Sequence, residues 1–275
     1  MTQAIDAGAS LAGRLCLEPL TVLDCPAEET VDIAAATGCR FLSFWVQSAG
    51  PQLPAACMVE RAAAGQLARR LADSGVRPLN LEVFILAADT DVSQFRPALE
   101  TGAALGAVSA TALFRDIAEP GRRLEKFVEL CQAAADCGLR VNIEFISYNV
   151  VGSLHAAAEL ARGSGQTNAG VVVDLLHLTR SGGSPAQIGE VDPRLVAHAQ
   201  VCDGPASVTE EERKLEGSFN RLVPGEGAFP VRAFYEALPA IPIGVEVPWR
   251  APGLSGLTPL ERVQRIVGGL RAAVG

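Results

Sequence analysis

Lysine is almost missing from this chain of 275 residues. Lys126 and Lys214 are the only lysines, and 31 acidic residues outnumber 23 basic ones, which gives a net charge of -8. Binding to the phosphate backbone of a nucleic acid depends on clustered Lys and Arg side chains. The composition therefore argues against a nucleic-acid partner.

Long apolar runs are missing as well. No apolar run reaches the roughly 18 residues that a membrane helix needs, and Met1 to Gly13 contains no basic stretch followed by an apolar one, so we expect neither a membrane partner nor a signal peptide. Seven cysteines form no CxxC pair and are odd in number, which is typical of reduced, mostly buried thiols. These absences predict a cytoplasmic protein.

The chain does have enough apolar residues for a folded core. Hydrophobic residues make up 49% of it, which excludes a disordered chain. Short apolar runs predict eight strands: Leu15 to Leu23, Phe41 to Val46, Leu79 to Leu86, Ala107 to Leu113, Val141 to Ile146, Gly170 to Leu176, Val196 to Cys202 and Ile243 to Val247.

Amphipathic stretches that separate these runs predict helices. They are Ala27 to Thr37, Met58 to Ser74, Val92 to Leu105, Pro120 to Cys137, Gly152 to Arg162, Ser184 to Gly189, Val231 to Ala237 and Thr258 to Val274. Strands that are apolar on both faces and alternate with helices indicate a parallel sheet with right-handed crossovers.

Eight such units predict an α/β fold, a single-domain (β/α)8 TIM barrel over residues 1–275. The alternative is an open doubly wound sheet, but the first strand is not followed by the Gly-rich dinucleotide fingerprint. The segment from Asp203 to Phe229 is predicted to be a long structured loop, and such loops are usually functional.

Polar residues interrupt four consecutive apolar strands where a barrel carries its active site, at the strands' C-terminal ends. They are Glu144, Asp174, Gln200 and Glu246. Because an unpaired buried carboxylate costs several kcal/mol, three converging carboxylates favour a shared divalent cation. Oxygen ligands suit Mg²⁺ or Mn²⁺, and an added imidazole such as His177 would admit Co²⁺ or Zn²⁺.

Around these four residues the sequence resembles the xylose isomerase-like TIM-barrel superfamily. That superfamily includes sugar-phosphate isomerases and epimerases, inosose-processing enzymes, 3-dehydroshikimate dehydratases and endonuclease IV-type nucleases. The resemblance extends over nearly the whole chain, through Leu20 to Asp24, Ala34 to Gly38, Glu144-Phe145, Val173-Asp174 with His177, Gln200 to Asp203, Arg221 to Gly227 and Val245 to Val247.

The resemblance implies that Glu144, Asp174, Gln200 and Glu246 hold one divalent metal ion, with His177 beside it. Gln200 is a departure, because many isomerases and epimerases of the superfamily have His at that strand, whereas bacterial 3-dehydroshikimate dehydratases resemble this chain in having Gln. The nucleases bind three zinc ions with many more histidines, and this chain has only three histidines. The nuclease branch is therefore disfavoured.

A metal that chelates a hydroxyketone acidifies the neighbouring C–H bond by stabilising the enediolate. Glu144 and Glu246 are the candidate base and acid, with His177 as a third catalytic candidate. Return of the proton gives epimerisation or isomerisation of a ketose or cyclic polyol ketone, and this is our leading interpretation. Loss of a β-hydroxyl would instead give dehydration of a carboxylated cyclic ketone, and a barrel that binds a metabolite without turnover is a third alternative.

Further residues are candidates for substrate binding. Arg221 and Arg180 suit a carboxylate or phosphate, Glu82 suits a hydroxyl, and Trp45 and Trp249 suit an apolar wall. Glu82 has an alternative role, an ion pair with Arg115.

For two histidines and for the outer helices, we expect positions or roles outside the candidate site. We expect His198 to be a hydrogen-bonded residue of the barrel interior and His155 to lie at the surface. Apolar outer helices such as Thr258 to Val274 would also suit a homo-oligomer interface.

Overall fold

The protein forms a closed barrel of parallel strands surrounded by helices. A computed structural model describes residues 10–48 and 55–275. Each strand pairs in parallel with the next in chain order, and the last pairs with the first, so that the barrel closes. The predicted (β/α)8 architecture is confirmed, and the open doubly wound alternative is wrong.

Each of the eight predicted strands overlaps an observed strand. Their bounds are β1 (Leu15–Leu17), β2 (Phe41–Trp45), β3 (Arg77–Leu86), β4 (Ser109–Phe114), β5 (Arg140–Glu144), β6 (Ala169–Asp174), β7 (Val196–Val201) and β8 (Ile243–Val245). Most of their residues are buried, because one face fills the barrel interior and the other packs under the helices.

The helices form the outer layer. They are α1 (Ala27–Thr37), α2 (Ala64–Ser74), α3 (Arg96–Leu105), α4 (Pro120–Ala135), α5 (Leu154–Gly163), α6 (Leu175–Arg180), α7 (Glu210–Phe219), α8 (Val231–Ala237) and α9 (Pro259–Val274). Gly38 and Gly75 end α1 and α2 with φ of 76° and 73°, the left-handed conformation that costs glycine least.

Several predicted boundaries are wrong, and three differences are the largest. The first strand stops at Leu17, and Pro19–Val22 forms a 3₁₀ helix instead, because Pro19 has no N–H to give to a sheet. Helix α2 begins at Ala64 rather than at Met58. The stretch predicted as a helix from Ser184 is a 3₁₀ helix, Pro185–Glu190.

Two helices near the strands' C-terminal ends were not predicted. The run predicted as a strand through Leu176 breaks at Asp174, whose Oδ1 accepts a hydrogen bond of 2.7 Å from the Leu176 N–H and caps α6. The segment predicted as a loop from Asp203 contains α7, which begins with a capping box formed by Thr209 and Glu212. Both helices lie next to the candidate site.

Within the described residues, no helix combines the length and the apolar character that a membrane span requires. All seven cysteines are free thiols, and all except Cys137 are buried. The free and mostly buried cysteines agree with the reduced thiols predicted from the cysteine spacing.

Candidate active site

The four polar residues predicted from the interrupted strands come together at the C-terminal mouth of the barrel. Glu144 and Asp174 end β5 and β6, Gln200 lies in β7, and Glu246 follows β8. The register pairs Asp174 with Gln200 across β6 and β7. All four side chains are buried, and Asp174 and Gln200 are fully so.

Arg221 directly contacts Asp174 and Glu246, and Gln200 is joined to this group through Glu246. The Gln200 Nε2 donates a hydrogen bond of 3.3 Å to Glu246 Oε1. Arg221 Nη1 donates to Asp174 Oδ2 at 2.7 Å and lies 2.9 Å from Glu246 Oε2. Glu144, Asp174 and His177 can each offer one ligand atom within 4.8 Å of the others. The structure therefore brings the predicted ligands and His177 into one cluster.

Acidic groups are concentrated in this cluster. Burial raises the pKa of both Glu144 and Glu246 well above the ordinary value, and neighbouring carboxylates raise it further. Burial is the largest influence on Asp174 and opposes its ionisation, but Arg221, His177 and the Leu176 N–H together keep the Asp174 pKa below its usual value. One guanidinium thus faces several carboxylates.

The donor set fits a divalent cation. The side-chain oxygen of Gln200 is buried and has no hydrogen-bond partner within the described residues. It lies beside carboxylates that repel one another, and a bound cation would satisfy the oxygen and offset the repulsion. Carboxylate and amide oxygens are the hard ligands that Mg²⁺ and Mn²⁺ prefer.

His177 is held as a neutral imidazole. Burial lowers its pKa to about 4, the Ser147 N–H donates to its Nδ1 at 3.5 Å, and the Tyr148 ring packs edge-on at 5.9 Å. A neutral ring can ligate a metal or accept a proton.

The two candidate arginines have different environments. Arg221 is buried in the carboxylate cluster and also donates from Nε to the Gly217 carbonyl at 2.9 Å. Arg180 pairs with Glu216 through contacts of 2.7 Å and 2.5 Å and lies over the Phe229 ring. These contacts place Arg180 beneath α7, outside the cavity lining, so its position does not support the prediction that it binds substrate.

Glu82 lies in the barrel interior and does not form the ion pair with Arg115 that we considered as its alternative role. It accepts hydrogen bonds from Asn80 at 2.7 Å and from Thr111 at 3.1 Å, whereas Arg115 is exposed. The expected Glu82–Arg115 pair is therefore wrong, because neighbouring polar side chains in β3 and β4 satisfy the carboxyl group. Burial, with the charge of Glu18, raises the pKa of Glu82 to about 8.

A cavity of about 420 Å³ opens above the cluster. The residues lining it include charged and polar groups at the base (Glu82, Glu144, His177, Arg221, Glu246) and an apolar wall (Leu20, Leu23, Trp45, Val83, Ile85, Leu113, Ile146, Phe219, Trp249). Trp45 and Trp249 both belong to this wall, at the place where their strand positions predict them.

A family model described as Xylose isomerase-like TIM barrel matches residues 86–271. The chain belongs to this family. The match covers more than half of the chain and includes all four residues of the carboxylate and amide cluster.

Among proteins of known activity, the chain is similar to a 3-dehydroshikimate dehydratase of Pseudomonas aeruginosa, with 27% identity over 175 residues. The match covers 58% of this chain but only 27% of the dehydratase, so the chain spans about a quarter of that relative's length.

Solved structures of the xylose isomerase-like family share the fold. They include the IolI protein with a bound zinc atom, at a TM-score of 0.77, 18% identity, and coverage of 95% of this chain and 98% of that one. Another is D-psicose 3-epimerase in the presence of D-fructose, at a TM-score of 0.71, 14% identity, and coverage of 95% and 100%. At these identities the likeness extends to the fold alone.

Several cavity residues of this xylose isomerase-like barrel were missed from the sequence, among them Tyr148, Ser218, Phe219 and Arg250. Each lies in a loop or helix after a strand, where strand periodicity carries no information. The guanidinium of Arg250 stacks 4.3 Å from the Trp249 ring. The position of Arg250 directly after Trp249 was the one sequence feature that could have indicated its place at the cavity.

The remaining histidines lie outside the carboxylate cluster. His155 is exposed beside Glu190, in agreement with the prediction. His198 is buried in the barrel interior as expected, but the expected hydrogen bond is not formed within the described residues. Its neighbour is Glu18, 2.8 Å away.

Proposed function

We propose that the protein is a divalent-metal-dependent isomerase or epimerase that moves the proton next to the carbonyl of a small hydroxyketone, a ketose or a cyclic polyol ketone. The observation that carries this proposal is the placement of Glu144 and Glu246, which both line the cavity while belonging to the same cluster as Asp174 and Gln200. Two carboxyl groups at one cavity allow removal of a proton by one and its return by the other.

Glu144, Asp174, Gln200 and Glu246 would hold the metal, and the oxygen-rich set favours Mn²⁺ or Mg²⁺. Co²⁺ or Zn²⁺ would become competitive if His177 joined the set, and the zinc atom in the IolI structure supports a divalent metal of this class. When bound, the metal polarises the carbonyl and makes the neighbouring proton easier to remove.

The chain's own residues perform the proton transfer. One carboxyl oxygen of Glu144 or Glu246 takes the proton, and the other residue delivers one to the opposite face or to the neighbouring carbon. Arg221 holds Asp174 and Glu246 in place. The wall formed around Trp45 and Trp249 keeps water from the reacting carbon.

The second candidate function is dehydration of a carboxylated cyclic ketone, of the 3-dehydroshikimate dehydratase type. Two observations favour it: Gln200 occupies the third ligand position, and the chain is similar to a 3-dehydroshikimate dehydratase. The first step is the same proton removal, but the intermediate then loses a β-hydroxyl group.

Incubation in D₂O distinguishes these functions. The purified protein, loaded with Mn²⁺, would be mixed with a panel of ketoses, with inososes and with 3-dehydroshikimate, and followed by NMR and ultraviolet absorbance. Deuterium at the carbon next to the carbonyl without loss of water supports the isomerase or epimerase. An absorbing enone or aromatic product from 3-dehydroshikimate overturns it in favour of the dehydratase.

Failure of every panel member to exchange or react, with binding intact, would support the third alternative, a barrel that only binds its metabolite. Glu236→Gln, a substitution at an exposed residue of α8, is the matched control for Glu246→Gln in each reaction. We expect the control to behave as the parent protein and Glu246→Gln to give neither exchange nor product.

A further inference from the structure

The barrel interior holds a second cluster of metal-binding side chains, formed by Cys16, Glu18 and His198. Cys16 lies in β1, Glu18 directly follows β1, and His198 lies in β7. Their exposed fractions are 0%, 0% and 1%. A sulfur, a carboxylate oxygen and a ring nitrogen from these residues lie within 4.8 Å of one another.

The polar atoms of this cluster are unsatisfied. Within the described residues, both carboxylate oxygens of Glu18 and both ring nitrogens of His198 are buried without a hydrogen-bond partner. Cys16 Sγ lies 3.5 Å from Ser43 Oγ and 3.7 Å from the Leu17 carbonyl, and it also lies within reach of the Glu18 carboxyl group. Buried groups of this kind cost free energy unless a ligand satisfies them.

His198 and Glu18 are in direct contact. His198 Nε2 and Glu18 Oε1 lie 2.8 Å apart, but the ring N–H is not aligned with the oxygen. Two ligand atoms, each about 2.0–2.2 Å from one tetrahedral zinc ion, lie about 3.3–3.6 Å apart, so these two atoms would separate slightly when a metal binds.

A glycine of the intervening strand leaves room for the cluster. In the barrel, β8 separates β1 from β7, and its Gly244 pairs in register with Cys16 on one side and with Gln200 on the other. A Cβ atom at Gly244 would collide with the Glu18 carboxyl group. Any larger residue would therefore displace Glu18 from His198.

We propose that Cys16, Glu18 and His198 form a second metal site, for Zn²⁺ or a cation of the same class, inside the barrel. Thiolate and imidazole ligands select zinc and cobalt over magnesium, so this site would differ in metal preference from the oxygen-rich cluster at the barrel mouth. On binding, the Cys16 thiol loses its proton to solvent and its sulfur bonds to the metal. The fourth position of a tetrahedral ion is left for Ser43 or water.

Cobalt provides the direct test, because a cobalt–thiolate bond gives a sulfur-to-metal charge-transfer band in the near ultraviolet. The full chain, stripped of metal, would be titrated with Co²⁺. We expect the band to appear in the parent protein and in Cys137→Ser, a substitution at a cysteine outside the cluster, and to be lost in Cys16→Ser and in His198→Gln. Glu246→Gln should keep the band, which separates this proposal from the proposed function.

A measurement on the parent protein covers the case in which Cys16→Ser does not fold. X-ray absorption of the zinc-loaded protein should show a sulfur neighbour about 2.3 Å from zinc. A titration without the band, together with an absorption spectrum that contains only nitrogen and oxygen neighbours, would overturn the proposal and leave Glu18 and His198 as a buried pair.

Discussion

At the scale of single residues, Arg221 supplies the positive charge that stabilises the carboxylate cluster when no metal is bound. Its Nη1 lies between Asp174 and Glu246. Burial opposes the charge of Arg221, but these two carboxylates raise the Arg221 pKa well above its ordinary value. The guanidinium is therefore a permanent counter-charge for two of the acidic groups. Burial and the neighbouring Glu246 raise the pKa of Glu144, so this carboxyl group would have to lose its proton to ligate a metal ion.

Substitution of Glu246 tests the role of this residue in proton transfer. Glu246→Gln keeps the shape of the side chain but removes its proton acceptor, and we expect turnover to fall about 100- to 10,000-fold, the usual contribution of a general acid or base. Steady-state kinetics on the substrate found in the D₂O panel would measure the loss, with circular dichroism and metal analysis to confirm fold and loading. A variant that keeps most of its turnover would contradict the assignment of Glu246.

Residue positions were predictable where a strand carried them. Glu144, Asp174 and Gln200 interrupt apolar strands. Their positions near the C-terminal ends of these strands place them at the mouth of the barrel. Tyr148 and Phe219 could not be placed in this way, because they lie beyond the ends of strands and reach the cavity only through the course of the following segments. The predicted pair of Glu82 with Arg115 is wrong for a related reason. Two nearby polar side chains, Asn80 and Thr111, hydrogen-bond to the Glu82 carboxyl group instead.

At the scale of secondary structure elements, α7 closes one side of the cavity. It contributes Gly217, Ser218 and Phe219 to the lining or its edge, although its surface is mostly charged and exposed. The Arg180–Glu216 pair fixes it to the barrel, with exposed side-chain fractions of only 7% and 2%. Docking of α7 therefore depends more on this buried pair than on apolar contact.

Removal of this pair should loosen α7. Arg180→Met leaves the Glu216 carboxylate buried and unpaired, a change that typically costs about 3–5 kcal/mol. If about 1.4 kcal/mol of that loss falls on substrate binding, KM rises about tenfold, while kcat changes less because the carboxylate cluster is untouched. Kinetics, with hydrogen exchange of the α7 amides, would measure both effects.

The matched control for this prediction is Arg194→Met, at an exposed arginine paired with Asp192. Exposed pairs contribute little, so the control should resemble the parent protein. Unchanged exchange in α7 of Arg180→Met would show that the helix is held by other contacts.

Helices α6 and α7 also show where periodicity fails. The apolar residues after Asp174 continue the run of β6, so helix and strand cannot be separated by hydrophobicity. Helix α7 is polar on nearly all sides and has no apolar stripe to detect. The capping box of Thr209 and Glu212 was the available sign of its first turn.

At the scale of the whole molecule, the closure of the barrel was predictable because the alternation of strands and helices admits few topologies. The length of each strand was less predictable. Strand β1 pairs over only three residues before Glu18 and Pro19 turn the chain inward, and this early turn places Glu18 beside His198. Glu18 follows Cys16 by two residues, so both side chains lie on the same side of the extended chain, toward the barrel interior.

The stability of the whole barrel should depend on the metal. A cation that binds only the folded state stabilises it, by about 2.7 kcal/mol at a concentration 100 times its dissociation constant. Mn²⁺ is the suitable probe, because it prefers the oxygen ligands at the barrel mouth over the sulfur and imidazole of the interior cluster. We expect the urea midpoint of the stripped protein to rise on addition of Mn²⁺.

Asp174→Asn should abolish most of that rise, because it removes a carboxylate that would hold the metal and that is paired with Arg221. Asp192→Asn, at the surface partner of Arg194, should keep the full rise and so control for the loss of one acidic group. Equal midpoints with and without Mn²⁺ in the parent protein would contradict the metal site itself, since the repulsion among its buried carboxylates would then be relieved by protonation and by Arg221 alone.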